Sequence, residues 1–189
     1  MSAQDRIGMD IFKVVTRAIA ESDNLDIMAD HLTQLLAGAL DIKASTIFVL
    51  EPETKELEVL ASYGLSLDYL NKGPLWADKS IGCLITGQPV VVEDVTTTDR
   101  LQYPDDAKRE GIASIISLPI RFLGEDVGAL RLYHHEAWDI SPRDLDSLLL
   151  LAELVGLALM YTKLNIALYT IKETIKDLHL GLEPFFNAD

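Results

Sequence analysis

Two apolar runs, Ile112–Phe122 and Val127–Tyr133, flank the short break Leu123-Gly-Glu-Asp. Runs rich in β-branched residues around a glycine-containing turn predict a β-hairpin. Ser114, Ile116, Leu118, Ile120 and Phe122 share one strand face, and Ile115, Ser117, Pro119 and Arg121 share the other. Apolar residues on both faces place this hairpin centrally in a sheet covered on both sides. Pro119 has no N–H to give to a ladder, which predicts a bulge or break there. Downstream, Ser141-Pro142 predicts a helix start. A serine oxygen caps free backbone N–H groups, and proline loses nothing at the first helical position. Asp144 and Asp146 suit the positive end of that helix.

Upstream, Asp5–Glu21 carries Ile7, Ile11, Val14 and Ala18 at helical spacing. Leu25–Leu40 repeats the pattern with Leu25, Met28, Leu32, Leu35, Leu36 and Ala39 on the buried face. Ala44–Leu50 and the alternating Leu57–Tyr63 read as strands. Leu65–Lys79 is irregular but apolar, and Leu67, Leu70, Leu75 and Trp76 are expected to fold over one sheet face as a lid. A short helix Ser80–Thr86 ends at Gly87, a strand Val90–Glu93 follows, and Leu101–Arg109 reads as helical around Tyr103-Pro104.

The last pattern is the longest. Leu150, Leu154, Leu157, Tyr161, Leu164, Leu168, Ile171, Ile175 and Leu178 step by four and three, as in a heptad seam. As far as Leu159, off-seam residues such as Leu148, Leu151 and Val155 can face the sheet; beyond it Lys163, Asn165, Lys172 and Glu173 make the other faces polar. A lone helix does not keep such a stripe in water: it folds back on its own chain or pairs with another copy, and pairing is the favoured reading. A homodimer through the terminal helices is therefore expected, with Leu157, Tyr161, Leu164, Leu168, Ile171, Ile175 and Leu178 as its seam. Gly181 reads as the helix end, leaving 181–189 as a short tail.

Three segments, in this order, carry a resemblance: Gly82-Cys-Leu-Ile-Thr-Gly-Gln-Pro-Val-Val-Val-Glu-Asp-Val95, Ile116-Ser-Leu-Pro-Ile-Arg-Phe-Leu-Gly-Glu-Asp-Val-Gly-Ala-Leu-Arg-Leu132, and Trp138-Asp-Ile-Ser-Pro-Arg-Asp-Leu145 before a Leu-rich helix. Together they resemble the GAF domain family from about Asn24 to Leu159. The resemblance implies an α/β (α+β) sandwich with a central antiparallel sheet of five or six strands. Terminal helices would cover one face, and loops and short helices the other. The implied layout is a leading helix over 1–22, a GAF-like domain over 23–160, a helical extension over 161–180 and the tail. It also implies a small-molecule cavity under the lid. Tyr63, Leu70, Trp76, Asp94, Tyr103, Ser114, Ile116, Arg131 and Tyr133 would converge there.

Charge and chemistry narrow this picture. A formal net charge of −14 argues against gripping nucleic acid or an anionic membrane surface. The start of the chain has no apolar signal region, and Leu148–Met160 is short of a bilayer span, so a cytoplasmic location is expected. One cysteine, Cys83, excludes an intrachain disulfide and a Cys-rich metal site. It also argues against sulfoxide-reductase chemistry, which needs a second thiol to resolve a sulfenic acid. His134-His135 and His31 are weak metal candidates, since neighbouring strand residues point to opposite faces and His31 has no second ligand at helical spacing. No catalytic residue and no metal site is assigned, and no cofactor is named.

Arg131, between Leu130 and Leu132, is the residue with most to explain. A buried guanidinium requires an anion. That anion is either an own-chain carboxylate such as Glu93 or Asp94, or the carboxylate or phosphate of a ligand held bidentately. Two functions follow. One is a small-molecule-sensing regulatory domain in signal transduction that passes ligand state to its terminal helices, and through them to an output domain or partner protein. The other is a ligand-free dimerisation module.

Overall fold

A computed structural model of the chain describes residues 7–22 and 24–186, with side-chain surroundings through Lys176. Asp5 of the expected first helix, the side chain of Leu178 and residues 187–189 lie outside the described residues. Element order is α1 (Met9–Glu21), α2 (Leu25–Leu40), β1 (Ala44–Leu50), β2 (Leu57–Tyr63), α3 (Leu67–Leu70), α4 (Cys83–Thr86), β3 (Val90–Val92), α5 (Pro104–Arg109), β4 (Ser114–Phe122), β5 (Glu125–His134) and α6 (Pro142–Phe186).

The five strands form one antiparallel sheet in the order β2-β1-β5-β4-β3. The β4–β5 hairpin fills two of its three interior positions, as the double-sided apolar pattern requires. Pro119 keeps its place opposite Ala129, and the register shift falls after Ile120 instead. Pro119 is tolerated because a ladder needs its N–H at alternate residues only.

One face of the sheet packs on helices. Ile47, Ile116, Leu118, Ile120, Leu130 and Leu132 meet Met28, Leu32 and Leu36 of α2 and Leu148, Leu151 and Val155 of α6 in one buried cluster. In α2, Asn24 caps the start by accepting from Asp26 N and Ile27 N. Leu32, Leu36 and Leu40 are buried, whereas Ala39 and His31 are exposed. In α1, Ile11 and Val15 are buried and Ile7, Phe12, Ala18 and Ile19 pack against the same cluster, so of the expected stripe Val14 alone is exposed. In α6, Ser141 Oγ accepts from Asp144 N at 3.0 Å with Pro142 at the first helical position, as the sequence predicts.

One boundary differs from expectation. Helix α6 runs through Gly181 to Phe186, since helical neighbours on both sides carry a glycine along at a cost of only about 1 kcal/mol. By length and composition, Pro142–Lys176 also qualifies as a bilayer span. Its apolar content has a local explanation, because Leu148, Leu151, Ala152, Val155 and Leu159 are buried against the sheet.

Candidate functional site

The second face of the sheet carries the chemistry. Phe48 of β1, Ser117 of β4, and Ala129, Arg131 and Tyr133 of β5 lie on it, with Val90 and Val92 at the far edge. Segments 65–83 and 95–112 close over it through Tyr69, Leu75, Ala77, Ile81, Cys83, Ala107 and Ile112. This is the lid expected from sequence, with one exchange. Tyr69 is buried and Leu67 is exposed, because the single turn of α3 points one residue inward and Tyr69 takes it.

Arg131 is the centre of this face and is 3% exposed. Its Nε donates to Ser117 Oγ at 3.3 Å, a terminal nitrogen donates to the Ser80 carbonyl at 3.4 Å, and the guanidinium carbon lies 5.1 Å from the Phe48 ring centre. No carboxylate lies within ion-pair distance of Arg131 among the described residues. The own-chain partner expected from sequence is not Asp94. That carboxylate closes a turn, accepting from Thr96 N and Thr96 Oγ1 at 2.7 Å each, and these bonds hold it below the usual range.

Aromatic groups surround the guanidinium. Tyr133 is buried on the same face, within reach of the Arg131 charge. Burial pushes its phenol up against the pull of Arg131, and burial does the same to Tyr69. The two rings meet edge to face at 6.2 Å. Above them stands Lys72, with Nζ 3.8 Å from the Tyr69 ring centre and donating to the Tyr69 carbonyl at 2.9 Å. Burial first, then the like charge of Arg131, lowers Lys72 to about 8, against the pull of Asp106 and Glu110. Cys83 Sγ lies 3.1 Å from Ser117 Oγ, and burial pushes its thiol up.

The sequence-predicted site residues therefore separate. Arg131 and Tyr133 come together. Tyr103 lies at the edge of the same cluster, its hydroxyl donating to the Pro74 carbonyl at 2.9 Å. Leu70 and Trp76 are half-buried in the lid segment, outside the cluster around Arg131. Trp76 bridges to Glu56 beside the sheet edge. Ser114 and Ile116 are on the helix face: Ile116 packs in the helix-side core, and Ser114 Oγ donates to the Glu136 carbonyl. Tyr63 is also on that side, opposite Ser45, whose hydroxyl reaches the Thr33 carbonyl of α2. Strand residues two apart share a face, so Ser114 and Ile116 cannot meet Ser117 and Arg131. Sequence reasoning missed Tyr69, Lys72, Ser80 and Ser117. A lysine three residues after a tyrosine in an apolar stretch was the available signal for the first two.

The two histidines behave differently from expectation. Strand β5 ends at His134, so His135 leaves the alternation and the rings stack at 4.6 Å. His134 Nδ1 accepts from Glu136 N, and Trp138 packs at 5.4 Å. Among the described residues no three His, Cys, Asp or Glu side chains converge as a metal site would need.

Five surface clefts have defined linings, and Arg131 lines none of these five. One runs between Leu50 and Ile85, another lies between α1 and α6 beside Tyr161 and Tyr169.

Comparison with known proteins agrees with this architecture. The GAF domain of a phosphoenolpyruvate-protein phosphotransferase from Coxiella burnetii superposes with a TM-score of 0.74 at 17% identity, covering 84% of this chain and 98% of that one. Free methionine-R-sulfoxide reductase from Neisseria meningitidis, in complex with its substrate, gives 0.71 at 16% identity over 87% and 96%. A domain named as that of a two-component sensor histidine kinase from Sinorhizobium meliloti gives 0.65 at 19% identity over 77% and 97%. No curated protein sequence matches the chain. The GAF domain profile matches residues 22–160, most of the chain and the whole of the sheet with both its covers, and the chain belongs to that family.

Proposed function

We propose that this GAF domain is a regulatory module that recognises a small anionic molecule on the lid face of its sheet. The observation that carries the reading is Arg131: a guanidinium 3% exposed, with no carboxylate in ion-pair range among the described residues. An uncompensated buried charge costs several kcal/mol, and a ligand carboxylate or phosphate would recover it. GAF domains occur in sensor and signalling proteins, which fits a regulatory role. A catalytic role has less support here, because Cys83 is the chain's single thiol and is buried against Ser117.

Output would run through the helices. Helix α6 packs on β4 and then continues with Leu157, Tyr161, Leu164, Leu168, Ile171 and Ile175 each more than half exposed. Two copies pairing along this seam would bury it, and a ligand acts by favouring one arrangement of the pair.

The test is native mass spectrometry on protein from its own host, followed by mild denaturation. A retained mass of a few hundred daltons on an even-numbered oligomer, lost on unfolding and missing from Arg131→Met, supports the reading. A second reading, a ligand-free dimerisation module, is favoured by the five clefts that leave Arg131 unlined. A bare oligomer from wild type, with no thermal stabilisation by carboxylates or phosphates, would select it.

A further inference from the structure

We propose that the ligand of this face is a dianion, held by Arg131 from the sheet and by Lys72 from the lid. The inference rests on the anion-binding reading above and names its ligand class.

The lid brings a second cation to the same cluster. Lys72 follows α3, and its ammonium lies on the Tyr69 ring, whose edge meets Tyr133 beside Arg131. The two cations are close enough for their like charges to oppose one another. Lys72, like Arg131, has no carboxylate in ion-pair range among the described residues. The nearby acids are already engaged: Asp106 pairs with Arg109, and Glu110 binds Ser66 and Lys43. Two partly desolvated like charges repel, and a monoanion would leave one of them unmatched. A dianion matches both. Tyr69 travels with Lys72 on the lid, so a ligand seated between the cations displaces the Tyr69 ring from Tyr133 and keeps the flanking Tyr103 as a wall.

The pH dependence has a definite sign. Burial and the like charge of Arg131 lower Lys72 to about 8, while the Tyr69 phenol beneath it is pushed up and stays neutral there. The carboxylates of Asp106 and Glu110 act on Lys72 from the α5 side and pull it the other way. A dianion raises Lys72, so its affinity falls as pH rises past about 8.

Succinate, inorganic phosphate and butyrate serve as probes on the full chain, by calorimetry and thermal shift at constant ionic strength. Succinate or phosphate is expected to bind at least about tenfold more tightly than butyrate. Lys72→Met should remove that preference, and Lys72→Arg should restore it and abolish the loss of affinity above pH 8. Succinate alone would indicate a dicarboxylate, phosphate alone a phosphate group. Equal binding of all three, or a preference untouched by Lys72→Met, overturns the dianion while leaving the anion reading standing. No binding of any probe at millimolar concentration overturns both.

Discussion

Glu110 holds Ser66 with both oxygens of its carboxylate: Oε1 accepts from Ser66 N at 3.0 Å, and Oε2 accepts from Ser66 Oγ. Lys43 Nζ adds an ion pair at 3.5 Å. The end of α5, the start of β1 and the first residue of the lid helix are thereby tied at one point.

Glu110→Gln should therefore loosen the lid. Burial alone pushes the Glu110 carboxyl up, but the Ser66 hydrogen bonds and Lys43 outweigh it and hold it below the ordinary range. A group lowered on folding stabilises above its unfolded value, about 4.3, and that contribution is lost as pH falls through the lower folded value. At neutral pH the substitution is expected to reduce unfolding free energy by about 1–2 kcal/mol, with faster amide exchange over 65–73. The difference from wild type should shrink toward pH 3. A gap that persists undiminished in acid would show that the carboxylate's charge is irrelevant.

Arg131→Met should be tolerated in stability. Removing the guanidinium removes a buried charge, against the loss of donors to the Ser80 carbonyl and Ser117. Ser117 keeps Cys83. Unfolding free energy within about 1 kcal/mol of wild type is expected in anion-free buffer, by urea denaturation. A loss above about 3 kcal/mol would mark Arg131 as a structural brace.

Two glycines give opposite outcomes. A Cβ on Gly128 would fall on the Phe48 carbonyl of the neighbouring strand, whereas one on Gly38, in α2, meets nothing within 4 Å. Gly128→Ala should destabilise by about 3 kcal/mol or more, since two ladder strands must move apart. Gly38→Ala should stabilise by about 0.5–1 kcal/mol through helix propensity and a less free unfolded chain. Thermal melts of both variants decide it; equal effects would contradict the packing.

The dimer proposal is tested at the seam. Leu164→Glu and Ile171→Glu lie beyond the sheet-packed part of α6, both more than half exposed, so neither disturbs the core. Each is expected to give monomers by light scattering with an unchanged near-ultraviolet spectrum. Dimers that survive both changes would place the interface elsewhere.

Much of this fold can be read from sequence because local signals agree. The Ser141-Pro142 start, the β4–β5 hairpin and the 3.6-residue pattern of α2 each carry their own chemistry, and the structure places all three, with Ala39 of the expected α2 face turned outward. The site was less legible. Residues 114–120 are apolar or small on both strand faces, so period-two alternation groups Ser114 with Ile116 but does not say which group faces the lid. The charge on Arg131 marked its importance, yet nothing local places Tyr69 and Lys72 above it. Their positions depend on Glu110, 44 residues beyond Ser66. Asp94 was chosen as a partner for its charge, but an aspartate two residues before a threonine satisfies itself locally first.

Helix α6 is one unbroken rod of 45 residues, clamped at one end where Gly156 lets it lie against the Arg121 backbone. At 1.5 Å per residue, the stretch from Leu159 to Phe186 is about 40 Å long. A tilt of roughly 5° at the clamp would swing its far end by about 3–4 Å, more than half a helical turn. The sheet beneath need shift only a fraction of an ångström to produce it. A change passed to the helix would thus work through a lever whose short arm is the packed face of β4, and whose reach is set by how far the apolar seam stays straight.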